Sequence, residues 1–203
     1  MKKKSFERKK ELLDAALNEF TMKNYENASL NTIIKNAGIS KGTFYYHFQD
    51  KQALYLYLLE NANKAKWEFM NRQIKENNTD FQEKDIFEGF KIQAQLGMEF
   101  ATLFPKYHRL SMMFANEKDN QIYEDAKRVL GLTAEVMMDE MVQKAIKNGD
   151  FDSRFSKDFI LKVMNFLFLN FNEIFGTEED FKLEKMVQNL NNYMDFMKNG
   201  LGK

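Results

Sequence analysis

The chain has 203 residues, 44% of them hydrophobic, with nine glycines, one proline and no cysteine. That is enough for one large or two small domains with a true core, and it excludes a disordered chain, a disulfide framework and thiolate metal sites. Lys and Arg number 30 against 30 Asp and Glu, but residues 1–51 hold ten basic and six acidic side chains (+4) and the remainder 20 against 24 (−4), so the first quarter suits a polyanion.

Helix-favouring Leu, Lys, Glu, Met, Ala and Gln are plentiful, and the chain reads as all-α with about nine helices. The first is expected over Ser5–Lys23, with Leu13, Ala16, Leu17 and Phe20 on one stripe and Asn24 as its stop. Ser29 caps a second helix whose stripe is Leu30, Ile33, Ile34 and Ala37. Gly38 ends it with a positive φ, and Ile39 packs back over the turn. Ser40 caps a short third helix on which Phe44 and Phe48 share the inward face. Asp50 caps a long fourth helix starting at Lys51 and carrying Leu54, Leu58, Ala62, Ala65 and Phe69. After a polar loop over Lys75–Gln82, helices are expected from Asp85 to Leu103, Pro105 to Ala115, Gln121 to Asn148, Ser156 to Phe175 and Glu178 to Asn199. Pro105 suits a first turn, and Ser156 and Thr177 suit caps.

The most apolar stretch, Phe159 to Phe175, includes Lys162, Asn165, Asn170, Asn172 and Glu173. It is too polar and too short for a bilayer. The basic start, Met1-Lys-Lys-Lys, is not followed by an apolar signal segment, and a soluble cytoplasmic protein with no membrane partner is expected.

The second and third helices with their glycine turn make a helix-turn-helix, whose second helix enters a major groove. Its outward groups are Lys41, Gly42, Thr43, Tyr45, Tyr46 and His47, with Asn31 on the supporting helix and Lys51 at the start of the next. Gly42 permits close approach of the backbone to a phosphate. The helix N-terminus favours an anion. This face lacks Arg, Gln and Glu, so many phosphate contacts and few base-edge contacts are expected. The bland alternatives are half-buried tyrosines and a histidine that ends its helix.

The run Gly38-Ile39-Ser40-Lys41-Gly42-Thr43-Phe44-Tyr45-Tyr46-His47-Phe48, followed by Asp50-Lys51-Gln52-Ala53-Leu54, resembles the TetR family of bacterial transcriptional regulators. Ala15 to Phe20, Tyr25 and Ser29 fit its first helix and second cap. The chain departs from the usual pattern at Asn24, at Ala28-Ser29 and at Asn31. The resemblance covers roughly residues 10–60. It implies a three-helix DNA-binding domain over 1–51 with Ser29 among its contacts, and a larger regulatory domain over 52–203 for effector binding and dimerisation. It further implies a homodimer on double-stranded operator DNA. A small molecule spreads the two recognition helices and releases the operator.

The rest of the chain permits this. Phe159, Val163, Phe166 and Phe171 lie on one stripe of the eighth helix, and Ile160, Met164, Phe168 and Phe175 on another. A helix apolar on two sides is buried on two sides. The last helix repeats this with Val187, Leu190 and Met194, so both are expected at a dimer interface. Met112, Met113, Met137 and Met141 with Phe104 and Tyr107 suit a permissive apolar pocket. Trp67 stands where the family often places pocket residues, and His108 could donate to a ligand. The effector is expected to be apolar or amphipathic. With two histidines, no cofactor motif and no metal-ligand spacing, neither catalytic nor metal-binding residues are expected. The competing readings are a helical interaction module without DNA and a TetR-like activator.

Overall fold

A computed structural model of the chain describes residues 2–76, 84–130, 134–169, 174–175 and 183–202. Side chains are described in these except at 2–7, 134–138, 168–169 and 183–184. The principal helices are α1 Lys2–Met22, α2 Leu30–Asn36, α3 Lys41–His47, α4 Lys51–Glu76, α5 Ile86–Leu103, α6 Pro105–Ala115, α7 Gln121–Leu130, α8 Ala134–Asn148, α9 Lys157–Leu169 and α10 Leu183–Leu201. One isolated antiparallel bridge joins Phe151 and Gly202, and no strand occurs among the described residues. The all-α expectation holds. The stretch Gln121–Asn148, expected as one helix, is described as two, and residues 131–133 between them lie outside the described residues.

The expected caps are present wherever they are described. Ser29 Oγ accepts the Thr32 N–H at 3.3 Å, Ser40 Oγ that of Thr43 at 3.1 Å, Asp50 Oδ1 that of Ala53 at 2.7 Å, and Ser156 Oγ that of Phe159 at 3.3 Å. Each satisfies one of the first-turn donors that a helix cannot satisfy itself. Thr177 lies outside the described residues. Pro105 occupies the first turn of α6.

The helices gather into two compact units: residues 1–69 with 100–132, and residues 70–99 with 133–203. The core of the first brings together Leu12, Ala16 and Phe20 of α1, Ile33 and Ile34 of α2, Phe44 of α3, Leu54, Tyr55 and Leu58 of α4, Leu110 of α6, and Ile122 and Ala126 of α7. These are the stripes that 3.6-residue periodicity marks out, closed against one another. The second has its own core, from Phe87 and Phe90 of α5, Val142 and Ala145 of α8, Ile160 and Met164 of α9, and Met194, Met197 and Leu201 of α10, with Phe151.

Candidate nucleic-acid interface

Helix α2 ends in a Schellman turn. Gly38, at φ 63°, gives its N–H to Lys35 O at 3.1 Å, and Ile39 gives its own to Ile34 O at 3.3 Å. Ile39 is buried beneath the turn, and Arg8 Nη1 donates to Gly38 O at 3.3 Å. The turn aims α3. Phe44 and Phe48 are buried, with ring centroids 6.2 Å apart. That fixes which face of α3 turns outward.

The outward face carries Lys41, Gly42, Tyr45 and Tyr46, all exposed; Tyr45 is 58% and Tyr46 74% exposed. Such exposure is far above that of a half-buried structural tyrosine, the state of Tyr57. Asn31 is exposed in the first turn of α2. Thr43 and His47 are half-buried on the flanks. Thr43 Oγ1 lies 3.0 Å from Ser40 Oγ. His47 meets Tyr46 edge to face, with centroids 5.0 Å apart. Its Nε2 is buried with no hydrogen-bond partner among the described residues, which costs free energy until something pairs with it. At Gly42 a Cβ would meet only Ser40 Oγ, at 3.7 Å, an ordinary contact. Nothing within the protein demands glycine there.

Two of the expected contacts face inward. Ser29 is half-buried; its hydroxyl serves the α2 cap and its N–H donates to Glu19 Oε1 at 3.0 Å. Lys51 Nζ donates to the carbonyls of Tyr25, Glu26 and Ala28 at 2.7, 3.3 and 3.0 Å and sits 4.4 Å from the Tyr25 ring centroid. An ammonium has three donors, and all three close the α1–α2 loop. Burial pulls this ammonium below the usual lysine value.

Helices α6 and α7 and the loop between them hold the same loop from another side. Glu117, 1% exposed, accepts the Tyr25 N–H at 2.5 Å and is also bonded by Asn120 Nδ2. Arg109 Nε donates to Thr21 O at 2.7 Å, and Gln52 Nε2 to Asp125 Oδ2 at 2.9 Å. Lys9 Nζ stands 4.6 Å from the Tyr57 ring and 5.7 Å from that of Phe48. The α1–α2 loop and the end of α3 are therefore held by groups on α1, α4, α6 and the α6–α7 loop. None of these positioning groups was expected from sequence. Glu117 sits in the polar run Asn116-Glu117-Lys118-Asp119-Asn120, which reads as any solvated loop.

The buried Glu19 is part of this frame. A hydrogen bond from Lys23, at 2.8 Å, holds its carboxyl below the usual carboxylate value; the Ser29 N–H adds to this and desolvation opposes it. With the folded-state value depressed, its stabilisation is complete above the unfolded value and is lost as pH falls through the folded one. The melting temperature is expected to drop as pH is lowered from about 5 to about 3, and Glu19→Gln should remove part of that slope while lowering the melting temperature at pH 7. Circular dichroism melts across that range measure both.

The expected effector residues fall in both units. Trp67, Phe104, Tyr107, His108, Met112 and Met113 belong to the first and Met141 to the second. Trp67, Phe104 and His108 are exposed; Tyr107, Met112 and Met113 are half-buried. Met141 lines a recess of about 300 Å³ with Ile74, Asp85, Ile86, Gly89 and Asp150. The Met137 side chain lies outside the described residues. Of the expected dimer residues, Phe159 is exposed and Phe166 is 63% exposed, while Val163, Val187 and Leu190 are half-buried. Met194 is wholly buried in the core of its own unit. Phe171 lies outside the described residues. Phe196, 69% exposed on α10, is an apolar group that the stripe Val187, Leu190, Met194 did not include. Among the described residues no group of three or more His, Asp or Glu could hold a metal ion, and no helix is long and apolar enough to cross a membrane.

Residues 12–58 match the model of the tetR family of bacterial regulatory proteins. The chain is 41% identical over 59 residues to the uncharacterized HTH-type transcriptional regulator YdgC of Bacillus subtilis, covering 29% of this chain and 30% of that protein. It is 32% identical over 69 residues to IcaR of Staphylococcus aureus, the HTH-type negative transcriptional regulator of the biofilm operon icaADBC, covering 34% and 35%. The matches thus span about a third of the length of these curated relatives. A TetR family transcriptional regulator from Chloroflexus aurantiacus shares the fold across 97% of this chain and 94% of its own, with a TM-score of 0.70 at 22% identity.

Proposed function

We propose, for a chain whose N-terminal domain is that of the TetR family of bacterial regulators, that it is a cytoplasmic, non-enzymatic transcriptional repressor, released from its operator by a small apolar or amphipathic effector. The observation that carries this is the outward face of α3. Lys41, Tyr45 and Tyr46 stand exposed on a helix whose other face is anchored by Phe44 and Phe48. A cation and two hydroxyls presented outward from an anchored helix suit phosphate oxygens, and the tyrosine rings and the Thr43 methyl suit thymine methyls. Gly42 fits the same account. A helical glycine costs about 1 kcal/mol relative to alanine, and close approach of a DNA backbone is a reason to keep it.

The protein acts as a homodimer, with residues 1–51 contacting DNA and 52–203 carrying the effector and dimer surfaces. Exposed Phe159 and Phe166 on α9 support an apolar contact with a second copy. Two recognition helices reach successive major grooves when they lie about 34–36 Å apart, so the operator is a palindrome or near-palindrome. An effector needs to favour the spread dimer over the DNA-competent one by only a few kcal/mol to empty the operator.

Selection of bound duplexes from a random pool tests this. The expected result is a palindromic consensus whose affinity falls with salt. Recovery of no consensus, with salt-independent retention of duplex, points instead to a helical interaction module. A consensus bound more tightly with effector present points to an activator or a co-repressed regulator.

A further inference from the structure

We infer that the first unit takes an amphipathic carboxylate, its anionic head between Lys66 and His108 and its apolar body along the rings of Phe69, Phe100 and Phe104. This rests on the reading of the chain as an effector-controlled regulator and names the chemical class of the effector.

The three rings form one cluster. Phe69 and Phe100 have centroids 5.9 Å apart, Phe100 and Phe104 stack at 4.9 Å, and Phe69 meets Phe104 edge to face at 6.3 Å. Phe69 and Phe100 are buried, but Phe104 keeps 37% of its surface open. The cluster is therefore an accessible apolar wall and not a closed core.

Each helix meeting at the Phe69–Phe104 contact carries a basic side chain one turn away from it. Lys66 precedes Phe69 by three residues on α4. His108 follows Phe104 by four on α6, joined to it by a backbone hydrogen bond of 3.1 Å. Residues at these spacings lie over one another on a helix. Both residues are solvent-accessible, yet desolvation lowers the proton affinity of both, and the charge of Lys66 lowers that of His108 further. The influence of the Lys66 charge on His108 agrees with the helix positions that set both residues beside the Phe69–Phe104 contact.

No counter-ion serves them among the described residues. On α4, Glu68 faces Lys64 at 3.9 Å. On α6, Arg109 gives its Nε to Thr21 O. A lysine ammonium and an imidazole beside an aromatic wall, with no carboxylate between them, suit an anion, whose charge would draw a proton onto His108. One ammonium and one imidazolium N–H match the two oxygens of a singly charged carboxylate. The adjoining rings select an acid with an apolar body over a small inorganic anion.

Trp67 is the sole tryptophan and follows Lys66 on α4, and the chain has only two histidines. Tryptophan emission therefore reports binding, and His108 is observable by NMR beside His47 alone. The full-length protein is titrated below aggregation limits with decanoate, 1-decanol and decylammonium, and with 2-naphthoate and 2-naphthol as an aromatic pair. The acid of at least one pair is expected to bind about tenfold tighter than its alcohol, and decylammonium weakest. Lys66→Met and His108→Gln should each shrink that preference with alcohol binding unchanged, and the midpoint of His108 deprotonation should rise with acid but not with alcohol. Alcohols that bind as tightly as acids, or a preference that survives both substitutions, would overturn the carboxylate assignment and leave an effector of another class. Failure of every compound to bind would overturn both this inference and the apolar-effector reading on which it rests.

Discussion

Replacing Lys41 and Tyr46 together by alanine is expected to lower operator affinity by at least about 100-fold while moving the melting temperature by no more than about 2 °C. Both side chains are exposed on the outer face of α3 and take no part in its anchoring by Phe44 and Phe48. Their removal leaves the fold intact but deletes from each protomer one charge-assisted and one neutral contact to the DNA backbone, together worth about 3 kcal/mol per half-site. Lys41→Ala alone should reduce the slope of log affinity against log salt by about 1.8, the signature of one lost phosphate neutralisation in each protomer of the dimer. Lys51→Ala makes the contrast. Its ammonium serves three carbonyls of the α1–α2 loop, so this variant should lose stability and affinity together. Anisotropy titrations of a labelled operator at several salt concentrations, paired with melts, separate the two cases. Full-strength binding by the double variant would move the contact face away from α3.

Glu117→Ala is expected to destabilise the protein by about 3 kcal/mol, although residue 117 is far along the chain from the helix-turn-helix. Its carboxylate is enclosed and accepts the Tyr25 N–H and a proton of Asn120. The Tyr55 hydroxyl is raised above the ordinary tyrosine value by burial first and by the Glu117 charge second. Truncation orphans two part-buried donors and opens a cavity beside them. A drop of about 6–12 °C in melting temperature corresponds to that energy in a chain of this size. Glu117→Gln keeps an acceptor for the Tyr25 N–H and should lose roughly half as much. Urea unfolding followed by circular dichroism measures the difference, and a loss below about 1 kcal/mol for the alanine variant would show that water or a neighbour replaces the carboxylate.

The helix-turn-helix was legible because its signals are local. A stripe at i, i+3, i+4 and i+7 identifies the apolar face of α1 or α2, Ser29 and Ser40 announce their helices, and only glycine takes φ 63° at Gly38 at low cost. What periodicity does not carry is the partner of a face. The stripe on α10 drew Val187, Leu190 and Met194 together, yet Met194 lies wholly inside its own unit while Phe196 is exposed. Polar contacts across long stretches of chain were equally hidden. Lys51 stands where a DNA contact is reasonable, and nothing nearby in sequence says that its ammonium turns to carbonyls more than twenty residues upstream. The bond from Tyr25 to Glu117 spans 92 positions, and both ends lie in segments whose composition is that of ordinary loops.

The first unit is discontinuous, being made of residues 1–69 and 100–132, and this bears on how a cell produces the protein. A ribosome adds about 5–20 residues per second, so residue 132 follows residue 51 by roughly 4–16 s. Throughout that interval α1 to α3 exist without Leu110, Ile122 and Ala126 to cover their core. Arg109 and Glu117, which take the backbone of Thr21 and Tyr25, come off the ribosome late in the same interval. The nascent N-terminus therefore carries an uncovered apolar face until the later residues of its unit arrive. A chain cut short after residue 69 keeps the whole recognition motif in its sequence and lacks the partners that set it.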